Sequence, residues 1–257
     1  MLATTAPPVM AVVNQKGGVG KTTTAINLGA AFAEAGHATL LIDLDPQANS
    51  TSGLGFDPAR ARLNVYHLLT GEATLDEVVQ PTSQSGLSLV PSHIDLAGAE
   101  IELAAVTERE SLLRKALAEG APGAQVVIID CPPSLGLLTL NALVAADSML
   151  IPTQCEYFAL EGLRHLMYTH QLVRSRLNPR LAIAGIVMTQ FDARTTLAWD
   201  VLHSVRRSHP HHVLETTIPR NVRLSEAPSH GKSVLEYDPM CRGAVAYRAL
   251  AKELIER

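Results

Sequence analysis

The amino-acid sequence predicts an α/β fold: a doubly wound, mostly parallel sheet with helices on both faces. Short apolar runs that are typical of buried strands alternate with longer amphipathic stretches that are typical of helices. Two of the apolar runs end directly in aspartate, and a glycine-rich turn joins the first run to the first helix. No Gly/Ser/Pro-rich linker divides the chain of 257 residues. We therefore expect one domain over residues 9–257, preceded by a flexible extension over residues 1–8.

The predicted elements alternate between strand and helix along most of the chain. Residues 9–13 form the first strand, because they are a short apolar run, and residues 23–35 form the first helix, because their apolar positions repeat with a helical period. Further strands are predicted at residues 39–42, 87–90, 126–129, 148–152, 181–188 and 213–218. Further helices are predicted at residues 111–119, 136–145, 161–176, 197–207 and 243–256. Two short amphipathic pieces, residues 65–69 and 75–79, are expected to cover the edge of the sheet.

The glycine-rich turn has the spacing of a phosphate-binding loop, with one extra lysine. In the pattern G-x-x-x-x-G-K-[ST], Gly20, Lys21 and Thr22 fill the last three places, whereas Gln15 stands where the first glycine is usual. A strand, a glycine-rich turn and a helix N-terminus together direct backbone N–H donors toward one anion. The residues expected to bind the phosphates of a nucleotide are Gly17, Gly18, Val19, Gly20, Lys21, Thr22 and Thr23. The surplus lysine is Lys16.

Three aspartates follow predicted strands that flank this loop. Asp43 and Asp45 come after the second strand, and Asp130 ends a later apolar run. Ligands of open α/β sheets lie beyond the carboxyl ends of the strands, so we expect these carboxylates beside the phosphates. Asp130 and the hydroxyl of Thr22 are predicted to hold Mg²⁺, with Asp43 supporting the metal or Lys21. Asp45 is the candidate for orienting or deprotonating an attacking water.

Four segments of the chain are distinctive: residues 14–24 (NQKGGVGKTTT), 43–47 (DLDPQ), 130–134 (DCPPS) and 218–229 (IPRNVRLSEAPS). Together they resemble the chromosomal ParA (Soj) branch of the deviant Walker A ATPases. The first segment is shared with a wider superfamily that includes MinD and nitrogenase iron protein, whereas the last is more specific to ParA. The likeness extends from about residue 9 to the C-terminus. It departs from the family at Ala48, where glycine is expected, and this leaves the geometry of that loop open.

The resemblance implies an ATPase that requires Mg²⁺ and forms an ATP-dependent homodimer. In this family ATP lies between two subunits, and the extra lysine, here Lys16, reaches the phosphates bound by the partner. Lys16 would thus supply a positive charge in trans, as an arginine finger does in other phosphate-loop enzymes. Lys21 and Asp45 complete the expected catalytic set. Hydrolysis is expected to be slow and to be stimulated by a centromere-binding protein of the ParB/Spo0J type.

Charge is distributed unevenly along the chain. The net charge is −4, but residues 1–193 carry 11 Lys/Arg against 18 Asp/Glu, whereas residues 194–248 carry 8 against 5. Such a local excess alone is typical of a solvated face. The resemblance implies that basic residues of the second region bind double-stranded DNA without sequence preference. The candidate DNA-binding residues are Arg194, Arg220, Arg223 and Arg242. The first and third of these match the family's DNA-contacting arginines, and the other two are additions.

The residues that contact the nucleotide base are harder to assign. Residues 218–221 resemble the family loop that approaches the base, which makes Pro219 and Asn221 candidates for cofactor binding. Asn221 is equally compatible with a residue that only forms a turn. The sequence therefore places the base near this loop and leaves the individual contacts open.

Two other functions use the same kind of loop. A MinD-type ATPase binds the membrane through a basic amphipathic C-terminal helix, but the last predicted helix here mixes Arg248 and Lys252 with Glu253 and Glu256, which favours docking against the protein. A small-molecule ligase or kinase needs a separate acceptor site. The sequence contains neither a signal peptide nor an apolar run of 18 residues. No membrane partner is expected, and the protein is predicted to be cytoplasmic and nucleoid-associated.

Overall fold

Eight strands in the described part of the chain form one sheet. The computed structural model describes residues 6–121, 123–157 and 159–257. The strands are β1 (Val9–Val12), β2 (Thr39–Asp43), β3 (Gln80–Pro81), β4 (Leu87–Val90), β5 (Val126–Asp130), β6 (Ser148–Gln154), β7 (Ala182–Phe191) and β8 (Val213–Pro219). Their order across the sheet is β3-β4-β2-β5-β1-β6-β7-β8, and every neighbouring pair is parallel except β3 and β4. The predicted mostly parallel sheet is confirmed.

Helices connect the strands, and most of them were predicted from the sequence. They are α1 (Lys21–Glu34), α2 (Asn49–Gly53), α3 (Val65–Thr70), α4 (Leu75–Val78), α5 (Leu96–Glu102), α6 (Leu112–Ala118), α7 (Leu137–Ala145), α8 (Ala159–Arg176), α9 (Thr196–Ser208), α10 (Val222–Glu226), α11 (Val234–Tyr237) and α12 (Arg242–Ile255). The short helices α2, α5, α10 and α11 and the two-residue strand β3 were not predicted. A 3₁₀ turn, Ala227–His230, follows α10 directly.

A hydrophobic core covers each face of the sheet. Successive residues of a strand point to opposite faces, and Val127 and Ile128 of β5 accordingly belong to different clusters of buried side chains. On one face α1 and α12 bury Phe32 and Tyr247. On the other face α3, α5, α6, α7, α8 and α9 pack over the sheet. Strands buried on both sides explain the continuous apolar runs of the sequence, and the prediction of helices on both faces is confirmed.

The topology brings the carboxyl ends of three strands to one place. β1 lies between β5 and β6, so the chain winds outward from β1 in both directions. Residues that follow β1 therefore lie at the point where the strand order reverses, which is the usual ligand site in this class of sheet. In the parallel register of β2 and β5, Asp43 is the direct partner of Asp130. The two carboxylates thus lie side by side at the edge where β1 leads into its loop.

The predicted N-terminal extension lies mostly outside the described residues. At its end, the carbonyl of Pro8 accepts a hydrogen bond of 2.9 Å from the backbone N–H of Val127. The next residue, Val9, donates its backbone N–H to Oδ2 of Asp147 at 3.0 Å. The chain is therefore already fixed to the sheet where β1 begins.

Candidate nucleotide-binding site

The loop between β1 and α1 has the backbone geometry of an anion cradle. Gly18 and Gly20 have φ angles of 75° and 87°, in the left-handed region that favours glycine. A Cβ atom added at Gly17 or Gly18 would meet no heavy atom within 4 Å, so the loop borders open space. Gly20 immediately precedes α1, and its carbonyl accepts the backbone N–H of Thr24 at 2.8 Å. The free N–H groups at the start of the helix therefore face this space.

Two adjoining cavities lie over the loop. The larger has a volume of about 490 Å³ and is lined by Gly17, Gly18, Lys21, Thr22 and Asp45, among other residues. The smaller, of about 330 Å³, is lined by residues that include Pro219 and Asn221. The residues that border both cavities are Gly20, Thr23, Gln190 and Pro228. The pair offers one space for phosphates and a neighbouring space for a base.

A cavity of about 790 Å³ is larger than either of these but lies elsewhere. It is lined by residues of α8 and of the turn between α9 and β8, including His170, Arg174 and His212. None of the residues that line it belongs to the glycine-rich loop. We therefore place the nucleotide site by the chemistry of the loop rather than by the size of the cavity.

Lys21 is buried at the first position of α1. Its Nζ donates a hydrogen bond of 3.1 Å to the backbone carbonyl of Lys16, and the residue is only 7% exposed. Burial lowers the pKa of Lys21, while the nearby carboxylates of Asp130 and Asp45 oppose that effect. The ammonium group is thus surrounded by the loop backbone and by the acidic strand ends.

Asp130 is a buried carboxylate with one unpartnered oxygen. Its Oδ2 accepts a hydrogen bond of 2.7 Å from the hydroxyl of Ser50. Its Oδ1 is buried and has no hydrogen-bond partner among the described residues. Burial raises the pKa of Asp130 to about 6, against the opposing effects of the Ser50 and Thr22 hydroxyls. A buried oxygen without a donor is the position at which a cation would complete the structure.

Asp43 is fully occupied by contacts within the protein. Its Oδ2 accepts hydrogen bonds from the backbone N–H of Thr51 at 2.8 Å and from the hydroxyl of Thr51 at 2.6 Å. Its Oδ1 accepts the backbone N–H of Asp45 at 3.2 Å. Burial raises the pKa of Asp43 to about 8, and the neighbouring Asp130 adds to this effect. The structure places Asp43 beneath the site, where it holds α2 and the turn after β2.

Asp45 borders the larger cavity. Its Oδ1 accepts the backbone N–H of Gln47 at 2.9 Å, and its carbonyl accepts the hydroxyl of Ser92 at 2.7 Å. These contacts fix the backbone and one carboxylate oxygen. The side chain is thus held at the wall of the space that also contains Lys21 and Thr22.

Two residues other than glycine, Ala48 and Gln190, adopt the left-handed backbone conformation beside the site. Ala48 has a φ of 51° and a ψ of 38° at the residue before α2. The backbone thus keeps there the conformation that the expected glycine would supply. Gln190, near the end of β7, has a φ of 50°, and its Nε2 donates to the carbonyl of Gly18 at 2.8 Å. This contact and the hydrogen bond of 2.8 Å from Thr189 Oγ1 to the carbonyl of Val19 hold the loop from the side.

Lys16 forms an ion pair within its own subunit. Its Nζ donates to Oε2 of Glu156, two residues beyond the end of β6. The side chains of Lys16 and Glu156 are 45% and 43% exposed. The structure therefore places the side chain of Lys16 at the surface beside the cradle, whereas the side chain of Lys21 is buried.

The candidate DNA-binding arginines are exposed, and two of them are paired with acidic residues. Arg194 binds Asp192 through two hydrogen bonds of 2.7 and 2.8 Å, and this contact lowers the pKa of Asp192 to about 2. Arg223 contacts Glu226 at 2.7 Å and Asp238 at 3.2 Å. The other two candidates, Arg220 and Arg242, are also exposed. Their backbone positions follow β8 and begin α12, respectively.

The segment that carries Arg223 touches the segment that follows Asp45. Beyond α2, Gly55 lies against Gly231, which follows the 3₁₀ turn after α10. A Cβ atom added at Gly231 would lie 2.7 Å from Cα of Gly55, and one added at Gly55 would lie 3.2 Å from the carbonyl oxygen of Gly231. Both glycines have positive φ angles, of 85° and 65°. The two backbones are thus in direct contact.

Several residues at this site were not found from the sequence. Ser50 and Thr51 bind the two buried aspartates, Gln190 binds the loop, and Glu156 binds Lys16. Asn221 has a local role, since its side chain accepts the backbone N–H of Arg223 at 2.8 Å and caps α10. This contact fits the turn role that the sequence also allowed for Asn221, since asparagine is a common N-cap residue. The other four residues carried no local signal in the sequence.

The described residues contain neither a separate cluster of metal-binding side chains nor a helix that could span a membrane. No group of three or more His, Cys, Asp and Glu side chains in the described ranges is arranged to hold a metal ion by itself. In the same ranges, no helix combines the length and the apolar character needed to cross a bilayer.

Comparisons with known proteins identify relatives over almost the whole chain. A family model described as an AAA domain matches residues 8–183. The sporulation initiation inhibitor protein Soj of Bacillus subtilis is 51% identical over 96% of this chain and 97% of its own length. The chromosome-partitioning ATPase Soj of Treponema pallidum is 53% identical over 95% of this chain and 96% of its own.

A solved structure with a different name has the same fold. The cobyrinic acid a,c-diamide synthase of Mycobacterium smegmatis, crystallised with an ATP analogue and magnesium, superposes with a TM-score of 0.86. It is 41% identical and covers 97% of this chain and 95% of its own. The curated relatives are more similar in sequence and match at full length. The chain therefore belongs to the Soj/ParA family of chromosome-partitioning ATPases.

Proposed function

We propose that this protein is a DNA-segregation ATPase whose ATP-bound homodimer binds double-stranded DNA without sequence preference. Hydrolysis, stimulated by a ParB-type centromere-binding protein, releases the DNA. The observation that carries the proposal is the arrangement at the cradle: Lys21 is buried beside the acidic strand ends, while Lys16 is exposed at the rim. One lysine is available to the subunit's own nucleotide, and the second can reach another subunit.

The residues at the strand ends fit a magnesium ion bound together with ATP. The unpartnered Oδ1 of Asp130 is a hard oxygen donor in a buried position, and Thr22 supplies a hydroxyl where α1 begins. These two residues would hold the ion, and Mg²⁺ would neutralise charge on the phosphates. Asp43 would act indirectly, because its oxygens already accept hydrogen bonds from Thr51 and from the backbone of Asp45.

Each remaining residue of the site has a role that its position permits. The N–H groups from Gly17 to Thr23 and the ammonium of Lys21 bind the phosphates. Asp45, at the wall of the same space, orients the attacking water or takes its proton. Pro219 and Asn221 line the adjoining cavity where the base would lie. Lys16 is the group that contacts the phosphates of the partner.

DNA binding would use the four exposed arginines in two copies. Phosphate contacts position a protein on DNA without reading its sequence. The patch on one subunit is weak, because Arg194 and Arg223 are partly neutralised by acidic neighbours. Two subunits on one duplex would bind far more tightly than one, so DNA affinity should require ATP and fall steeply with salt.

The test combines DNA binding with assembly. Binding of a duplex by fluorescence anisotropy, and molecular mass by light scattering, are measured with ATP, with ADP and without nucleotide, each with and without Mg²⁺. We expect a dimer and tight DNA binding only with ATP and Mg²⁺. Lys16→Ala should still bind nucleotide but remain a monomer. DNA binding that is independent of nucleotide, or ATP-dependent dimers of Lys16→Ala, would contradict the proposal.

The same preparation distinguishes the other two functions. The C-terminal helix α12 buries Tyr247 and Leu250, and its Arg248 binds Glu34 of α1 at 2.5 and 3.0 Å. This docking buries the main apolar face of α12 against the protein, so sedimentation with anionic vesicles and ATP should leave the protein in solution. A ligase or kinase would transfer phosphate to an acceptor, whereas we expect only ADP and inorganic phosphate as products.

A further inference from the structure

Lys16 and Glu156 come together because two parallel strands end side by side. β1 and β6 are neighbours in the sheet, and Lys16 and Glu156 each lie a few residues beyond the end of one of them. The ammonium of Lys16 donates to Oε2 of Glu156 across a sequence separation of 140 residues. Both side chains are about half exposed. The contact is therefore an ion pair at the surface, within reach of a second molecule.

The backbones on either side of this pair are held together independently of it. Asn14, only 9% exposed, donates its Nδ2 to the carbonyl of Pro152 at 2.8 Å, and its Oδ1 accepts the backbone N–H of Lys16 at 3.0 Å. Farther along β6, Gln154 donates to Oε1 of Gln190 at 3.1 Å, and Gln190 in turn binds the loop at Gly18. The frame therefore remains in place when the side chain of Lys16 moves.

We propose that Glu156 holds Lys16 on its own subunit, and that the ATP-bound dimer forms by exchanging this carboxylate for the phosphates of the partner's nucleotide. The inference rests on the proposed function, in which Lys16 acts in trans. Glu156 is then a positioning residue that competes with assembly. While Lys16 is paired with Glu156, it cannot contact the partner's phosphates. The ion pair therefore lowers the fraction of subunits that are able to associate, and the apparent affinity of dimerisation falls in proportion to that fraction.

The exchange depends on the charge of the nucleotide. A triphosphate carries more negative charge than a carboxylate, so it attracts the compact ammonium of lysine more strongly. A diphosphate lacks the terminal group and competes less well with Glu156. The ion pair would thus sharpen the difference between the ATP and ADP states. Each exposed pair has a modest strength, and because a dimer breaks two of them, removing the carboxylate should tighten the dimer by about 3- to 30-fold.

The experiment compares Glu156→Gln with Glu161→Gln. Both variants lose one negative charge, and Glu161 is exposed on α8 five residues farther along. The dissociation constant of the dimer is measured by analytical ultracentrifugation with a non-hydrolysable ATP analogue and Mg²⁺. We expect it to fall about 3- to 30-fold in Glu156→Gln and to stay at the wild-type value in Glu161→Gln. An unchanged or weaker dimer in Glu156→Gln overturns the proposal.

A second measurement detects the Lys16–Glu156 ion pair in the monomer. In the nucleotide-free protein, acylation of Lys16 by a water-soluble ester is followed by mass spectrometry. The carboxylate shields the amine, so Lys16 should react faster in Glu156→Gln than in the wild type or in Glu161→Gln. If the wild type stays monomeric with the ATP analogue, the proposed function is wrong because no dimer forms. The acylation rate then still shows whether Glu156 holds Lys16. Equal rates in all three proteins overturn that contact.

Discussion

Asp43 and Asp130 are direct partners in the parallel register of β2 and β5, but their carboxylates have different surroundings. Both oxygens of Asp43 accept hydrogen bonds, from Thr51 and from the backbone of Asp45. Asp130 accepts one from Ser50, and its other oxygen has no hydrogen-bond partner within 3.5 Å among the described residues, although the Thr22 hydroxyl is nearby. The contacts are thus divided: both oxygens of Asp43 are used within the fold, whereas one oxygen of Asp130 is available to a ligand.

This division predicts opposite effects of two matched substitutions. Asp130→Asn should weaken Mg²⁺-dependent nucleotide binding more than tenfold, and any loss in the free energy of unfolding should come from the lost charge partner of Lys21 rather than from a lost hydrogen bond, because the amide can still accept from Ser50. Asp43→Asn should lower the free energy of unfolding by about 1–3 kcal/mol, because its amide cannot accept all the N–H and O–H donors that the carboxylate accepts. Titration of a fluorescent nucleotide with and without Mg²⁺, and urea unfolding, measure the two effects. Equal losses of metal-dependent binding in both variants would refute the division.

Asp45→Ala should separate nucleotide binding from hydrolysis. The side chain lines the larger cavity and accepts its hydrogen bond from the backbone N–H of Gln47, outside the cradle, so the variant should bind ATP with nearly normal affinity. Loss of a general base or of the group that orients water typically lowers the rate about 10²- to 10⁴-fold. Phosphate release measures turnover, and anisotropy should reveal a dimer that stays on DNA. Normal turnover in this variant would remove Asp45 from the proposed mechanism.

The pairing of Arg223 predicts that DNA affinity can be changed in both directions. Arg223→Ala should abolish ATP-dependent DNA binding while the dimer still forms, because a phosphate contact is lost twice. Glu226→Gln should increase the affinity severalfold at low salt, because Glu226 neutralises Arg223 at 2.7 Å. The gain should shrink as salt screens the charges. Glu119→Gln, at an exposed position immediately after α6, is the control for net charge, and an equal gain there would mean that the effect is not local.

The cavity between α8 and the α9–β8 turn predicts a loss of stability in acid. Burial lowers the pKa of His170, whose Nε2 contacts the carbonyl oxygen of Leu181 at 3.0 Å, and nearby Arg174 adds to this effect. The pKa values of His209 and His212 are also lowered by burial. The unfolded chain therefore binds protons more tightly than the folded protein, and stability is complete above about pH 6.5 and is lost as the pH falls through the folded-state pKa values.

The substitution that tests this pH dependence is His170→Gln. Its amide does not titrate but can still donate a hydrogen bond to the carbonyl oxygen of Leu181. The free energy of unfolding, measured in urea between pH 5 and pH 7.5, should depend less on pH in this variant, by at most about 1.4 kcal/mol per pH unit. His165→Gln, exposed on the same helix, should keep the wild-type slope. An unchanged slope in His170→Gln would assign the acid sensitivity to other groups.

The sequence predicted the sheet and its principal helices well, because buried parallel strands and amphipathic helices both carry strong apolar patterns. The bounds of β4 were predicted without error, and α1, α8 and α12 were each found within two residues of their predicted limits. The glycine spacing of the cradle was equally informative, since Gly18 and Gly20 adopt the left-handed conformations that the pattern suggests.

The parts that escaped prediction depend on contacts between distant segments. The helix α2 has the sequence Asn-Ser-Thr-Ser-Gly, which contains no apolar residue, and its Ser50 and Thr51 are fixed by Asp130 and Asp43. Glu156 likewise belongs to no recognisable sequence pattern, and only its ion pair with Lys16 in the folded protein indicates a role. Strand pairing brings these residues together. The hydrophobic periodicity of one segment does not indicate which residues of another segment it will contact.

The contact between Gly55 and Gly231 joins the segment that follows Asp45 to the segment that carries Arg223. The first is proposed to act in ATP hydrolysis and the second in DNA binding. A methyl group at either glycine would lie closer to the other backbone than an ordinary van der Waals contact, so the segment that follows Asp45 lies directly against the segment that presents Arg223. A displacement of the first toward the second cannot be absorbed by a side chain that changes rotamer. If ATP binding displaces the segment after Asp45, we therefore expect the displacement to be passed to the segment that carries Arg223.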